Sequence, residues 1–183
     1  MGEVTRCRWC NLNNPLYVDY HDNEWGRPEH DDHMLFELLV LEGFQAGLSW
    51  ECILNKREAF RAAFDNFDVD AVSNYDEAKR TSLMHDSSIV RNRLKIEADV
   101  TNALVFKNIV CEFGSFDNYI WGFTKGQVIC ECDKTSSSLS DDISKDLKRR
   151  GMKFVGTTIV YSYLQAIGVI NSHDEGCWLH KIM

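Results

Sequence analysis

Cys7, Cys10 and His21 near the start of the chain, and His173 and Cys177 of HDEGC near its end, are residue types that hold soft metal ions. A His and a Cys at i and i+4 can face the same way on one helical turn, a workable ligand spacing. Thiolates with imidazoles and no spare carboxylate suit zinc in a closed tetrahedral site. Such a site would pin the two ends of the chain together. Spacing leaves Cys10 and His21 as alternatives for the fourth ligand, since Cys7-Arg-Trp-Cys10 is itself a zinc or redox knuckle. The plain alternative is that no metal binds and His21 is a hydrogen-bonded histidine.

A second chemistry lies in EGFQAGLSW. It puts one carboxylate, Glu42, near the end of a strongly apolar helix, followed by Gly47, an adjacent Leu48 and a Ser-Trp pair. A carboxylate there is expensive to bury unless something pairs with it, and Arg57 or Lys56 is the ordinary partner to expect. An apolar residue on a glycine tip is a wedge for base steps, or else an inward-packed helix corner. A third feature is KDLKRRGMKFVG, where Gly151 and Gly156 bracket a short turn between two helices. Glycines let backbone N–H groups approach an anion, and Lys148, Arg149, Arg150 and Lys153 would hold neighbouring phosphates without reading sequence. The plain reading is a solvated basic face on a helical corner.

These residues need a scaffold, and the pattern of the chain is helical. Asp31 or Asp32 can cap a helix apolar on most sides through Leu35, Phe36, Leu38, Leu39 and Leu41, which would make it the central one. Ser49 caps a second, running from Trp50 to Phe64, with Trp50, Ile53, Leu54 and Phe60 inward. Asp68 and Asn74 read as caps of short helices, and Ser87 or Ser88 as the start of a long one closed by Gly114. A short helix in SFDNYIWGF follows. Residues 125–138 hold a brief hairpin or a loop, and from Ser140 the helices DDISKDLKRR and TTIVYSYLQAIG close the chain. There is neither an internal repeat nor βαβ alternation, so an all-α fold is expected.

At 183 residues the chain suits one domain spanning 1–183. A net charge of -8 counts against indiscriminate nucleic-acid binding and makes any basic face local. Seven cysteines, an odd number, argue against a disulfide framework, and Cys52, Cys111, Cys130 and Cys132 read as buried or half-buried small residues. No apolar run approaches the roughly 20 residues that span a bilayer, and residues 1–15 lack a signal-peptide core. A cytoplasmic monomer without membrane contact is expected.

Taken together, RCRW (6–9), PLYVDYHDNEWG (15–26), LEGFQAGLSW (41–50), RNRLKI (91–96), GMKFVGTTIVYS (151–162) and HDEGC (173–177) resemble the 3-methyladenine DNA glycosylase I family. These are bacterial base-excision enzymes of the helix-hairpin-helix class. The matching stretches run from end to end in the family's order.

The resemblance implies an all-α helix-hairpin-helix glycosylase fold, with the hairpin at about 140–168 and a structural zinc joining the ends. It implies Cys7, His21, His173 and Cys177 as ligands, with Cys10 extra to the pattern and Asp174 no catalyst. It implies Glu42 as the catalytic-site carboxylate and Tyr20 as its companion on the damaged base. Trp50 stacks on that base, Trp9, Tyr17 and Trp25 form further walls, and Ser162 lies nearby. Gly47 and Leu48 enter the DNA stack, while Gly151, Lys153 and Gly156 meet the backbone. The partners implied are double-stranded DNA containing alkylated adenine and free 3-methyladenine as product. The expected reaction is monofunctional hydrolysis of the N-glycosidic bond. Competing readings are a zinc-stabilised DNA-binding module that senses damage without cleaving it, and a metallohydrolase. The second needs an open coordination position, which two Cys and two His leave unavailable.

Overall fold

The computed structural model describes residues 4–180. Its elements run α1 (Pro15–Asn23), α2 (Asp32–Gln45), α3 (Trp50–Leu54), α4 (Arg57–Ala63), a 3-10 turn (Asp65–Phe67), α5 (Val69–Ser73) and α6 (Glu77–His85). They continue with α7 (Arg93–Phe113), α8 (Phe116–Gly122), β1 (Ile129–Cys130), α9 (Ser138–Arg150), α10 (Thr157–Ala166) and β2 (Ile170–Asn171).

Helix α2 is the centre of the fold. Asp31 caps it by accepting from the N–H groups of His33 and Met34, and every residue from Leu35 to Phe44 is buried. Helices α3, α7, α8 and α10 pack around it. Each fully buried Leu or Phe here contributes roughly 1.5–3 kcal/mol relative to exposure. Ser49, Asp68 and Gly114 act as expected at helix ends.

Other boundaries differ, for local reasons. The segment from Trp50 to Phe64 breaks into α3 and α4, with the Lys56 ammonium drawn to the Ser88 carbonyl at the break. The long α7 starts at the Asn92 cap, because Asp86 captures both Ser88 groups in a turn of its own. Asp76 caps α6, and Asn74 instead ends α5. Ser137 and Ser140 form a reciprocal cap, so the Ser run opens α9 earlier than Ser140.

The segment 125–138 makes no hairpin with itself. It lacks a two-residue glycine turn, and its strand pairs in parallel with β2, Ile129 beside Ile170 and Cys130 beside Asn171. Residues 173–177 form a turn rather than a helical turn, closed by the Cys177 N–H on the Asp174 carbonyl at 2.8 Å. Cys111 and Cys130 are exposed, not buried; Cys52 and Cys132 are half-buried. No helix among the described residues is long and apolar enough to cross a membrane.

Candidate active site

A cavity of about 340 Å³ opens where α1, the end of α2, α3 and α10 converge. Trp9, Tyr17, Tyr20, Trp25, Glu42, Trp50 and Ser162 all line it, so every expected base-contact residue is brought together. The aromatic walls brace one another: Tyr20 and Trp50 ring centroids lie 5.2 Å apart, Trp9 and Tyr17 5.3 Å, and Trp9 and Trp25 4.7 Å edge-on. An aromatic cage of this kind presents negative ring faces to a cation.

Glu42 and Asp99 are the two deeply buried carboxylates with an unpartnered oxygen among the described residues, and of the two only Glu42 lines the cavity. Neither ordinary partner reaches it: Arg57 binds Glu24 and Glu37, and Lys56 binds Ser88. Its Oε2 is buried without a hydrogen-bond partner. Loss of solvation alone pushes its carboxyl from an ordinary 4.5 up to about 8. A neutral acid therefore waits in a cage that suits a cation.

Behind Trp25 lies a closed cluster. The ligand atoms of Cys7, His21, His173 and Cys177 fall within 4.8 Å of one another, and all four residues are buried. Cys10 stands apart, its Sγ 3.8 Å from the Tyr17 carbonyl. Each imidazole is oriented from behind. His21 Nδ1 lies 2.8 Å from Asp22 Oδ1, and His173 Nδ1 2.9 Å from Asn171 Oδ1. Burial alone would push Asp22 up, but Arg6 and His21 hold it down at about 2. Burial and the neighbouring His21 lower His173 to about 4, which keeps it neutral. Its Nε2 is buried without a partner, and the Asp174 N–H points to Cys7 Sγ at 3.3 Å. A donor set so arranged fits a tetrahedral thiophilic metal ion. Gly26 makes room for it: φ is +75°, and an added Cβ would sit 2.6 Å from the His173 ring.

Two turns flank the cavity's side of the molecule. Gly47 has φ +84° with open space around it, and Leu48 is 42% exposed, so the tip is not packed inward. Between α9 and α10, Gly151 takes φ +106°, while Gly156 has ordinary extended backbone and the other left-handed residue is Phe154. Lys148 and Lys153 are exposed and without ion pairs among the described residues. Arg150 is committed to Glu112 and Asp146, and Arg149 to Asp146, which narrows the expected basic set.

The methyladenine glycosylase family model matches residues 9–180. The chain belongs to that family. DNA-3-methyladenine glycosylase 1 of Escherichia coli is 45% identical over 95% of this chain and 96% of its own length. A crystal structure of 3-methyladenine DNA glycosylase I superposes with a TM-score of 0.92 at 43% identity, covering 96% of this chain and all of the other. A variant of such an enzyme in complex with 3-methyladenine gives a TM-score of 0.90 at 35% identity, covering 94% and 96%.

Arg8, Gln45, Asp133, Gln165, Ser172 and Asp174 line the cavity as well, none of them expected there from sequence. Arg8 spans the mouth, its backbone N–H donating to Asp174 at 2.7 Å and its guanidinium meeting Asp133 at 3.1 Å. Arg8, Gln45 and Asp174 lie within the matching stretches but without a role of their own there, whereas Asp133, Gln165 and Ser172 lie outside them and only the fold gathers them.

Proposed function

We propose that this chain hydrolyses the N-glycosidic bond of 3-methyladenine in alkylated DNA, as a monofunctional glycosylase. The observation that carries the reading is the buried, unpartnered Glu42 facing an aromatic cage. A base inside a duplex cannot be cut in place and must be flipped out, and an alkylated purine that stacks and pairs poorly is cheaper to extrude. Gly47 and Leu48 suit the wedge that fills the vacated space. Gly151, Lys153, Gly156 and the N-terminus of α10 suit the phosphates, as in a helix-hairpin-helix.

In the cage, the cationic base stacks against Trp50 and its neighbours. Its positive charge favours the ionised form of Glu42, whose proton passes to solvent, and the carboxylate then accepts from the amino edge beside Tyr20. Cleavage of the C1′–N9 bond sends its electron pair to the base, which leaves neutral. Water bonds to C1′ and releases its proton to solvent. The leaving group is already activated, so little general-base help is needed. The other acidic residues of the lining, Asp133 and Asp174, are engaged with Arg8. No lysine lines the cavity among the described residues, which supports hydrolysis without a Schiff base or strand cleavage.

Cys7, His21, His173 and Cys177 would hold a zinc ion whose role is to tie the N-terminal arm to the C-terminal turn. With four protein ligands it offers no open position for substrate. Incubation with methylated duplex DNA should release free 3-methyladenine and leave the strand intact. DNA binding without base release would favour the non-catalytic damage sensor instead.

A further inference from the structure

Helix α7 carries a buried polar face that the base cavity does not use. Lys95 and Asn102 lie at i and i+7, on one side of the helix, and both are buried. Lys95 Nζ donates to the carbonyls of Phe44 and Ala46, each at 2.8 Å. These are among the last carbonyls of α2, which lack intrahelical partners and favour a positive charge. The Gly47–Leu48 turn starts at that point. The same ammonium lies 5.9 Å from the ring centroids of Phe44 and Phe154, the second of which belongs to the turn between α9 and α10.

Further along the same face, Asn102 closes a two-way bond with the backbone of Lys153. Its Nδ2 donates to the Lys153 carbonyl at 3.0 Å, and the Lys153 N–H donates back to Oδ1 at 2.9 Å. Gly43 of α2 faces Phe154 closely, so that an added Cβ would lie 3.8 Å from the Phe154 Cβ. One helix therefore grips both turns by their backbones, through largely buried side chains that do not line the cavity.

We propose that Lys95 and Asn102 are positioning residues that hold the Gly47–Leu48 turn and the Gly151–Gly156 turn in fixed register, so that wedge and phosphate contacts engage one duplex together. The inference rests on the DNA-contact reading of those turns given above. A duplex fixes the spacing between a base step and its flanking phosphates, so a small drift of either turn disengages one contact when the other is made.

The test compares Lys95→Met, which keeps the length of the side chain, and Asn102→Ala with wild type. Three readouts are needed: single-turnover base release from methylated duplex, affinity for free 3-methyladenine by Trp fluorescence, and thermal melting. Both variants should melt cooperatively and slow duplex excision by about tenfold or more, with free-base affinity within about twofold, since ~1 Å of misplacement costs up to roughly a hundredfold. Unchanged excision would overturn the proposal. So would free-base affinity falling in step with excision, because that reports general damage. If Lys95→Met fails to fold, Asn102→Ala decides alone. Absence of base release from wild type would fail the glycosylase reading separately; weakened binding of undamaged duplex by the variants would then still support the register, and unchanged binding would refute it.

Discussion

Two carboxylates on the central helix α2 meet opposite fates. Glu37 is fully buried between Arg57 and Arg61, with Arg57 also engaging Glu24. Glu42, further along the same helix and buried almost as deeply, has neither a salt bridge nor a partner for its buried Oε2 among the described residues. The first is a structural charge satisfied from within the fold. The second is left to be satisfied by something that enters. The cluster of Cys7, His21, His173 and Cys177 shares features of both: Asp22 and Asn171 brace its imidazoles from behind, while His173 Nε2 faces inward without a partner. Deep burial alone therefore does not mark a functional acid; burial beside a cavity without a partner does.

That contrast can be broken most forcefully at the Cys/His cluster. If the cluster holds zinc as proposed, Cys177→Ser should release it, loosen both chain ends and cost more stability than any other change named here, read as melting temperature together with elemental analysis. Retained zinc with an unchanged melting temperature would remove the cluster from the account. Arg57→Met leaves Glu37 and Glu24 short of a cation and should cost about 3–5 kcal/mol in denaturant unfolding. Binding of free 3-methyladenine should change little, and a stability loss confined to the bound form would undo the distinction between the two carboxylates.

The Glu42 end predicts a pH signature. Its carboxyl titrates at about 8 in the folded protein against an ordinary 4.5. Between those values the folded state keeps a proton that the unfolded chain gives up, so stability falls as pH rises through that window. The slope is at most about 1.4 kcal/mol per pH unit. Glu42→Gln abolishes this term, so the variant should gain on wild type in melting temperature from about pH 5 to about pH 8. Parallel pH profiles for the two proteins would show that Glu42 is paired after all. The smallest effect is expected at Lys153. Lys153→Glu should weaken binding of damaged and undamaged duplex alike and flatten the salt dependence by roughly one unit of slope.

The helical scaffold was legible where capping is local. Asp31, Ser49 and Asp68 sit just before their helices, and Gly114 just after one, because a side-chain oxygen or a left-handed glycine acts within a few residues of its own position. What escaped was non-local. The β1–β2 pair joins Ile129 to Ile170 across the whole α9–α10 hairpin, and no periodicity within either segment announces it. The break between α3 and α4 comes without Gly or Pro and coincides with a tertiary bond from Lys56. At the cavity, the aromatic residues and Glu42 were legible through the motifs that carry them. Gln165 and Ser172, outside those motifs, were not, since a lone polar residue on a helix or strand end looks like any solvated one. The commitment of Arg149 and Arg150 to Asp146 and Glu112 was hidden for the same reason: a basic run does not reveal which of its charges are already neutralised.

In the proposed function, the damaged base occupies the cavity beside Glu42. Titrating free 3-methyladenine into wild type and Glu42→Gln, followed by Trp fluorescence, tests it most directly, because Trp50 and Trp25 line the same cavity. Gln keeps the shape but turns one acceptor into a donor and cannot ionise, so the expected loss is on the order of 1.5–3 kcal/mol, with folding intact. Equal affinities for the two proteins would contradict the account.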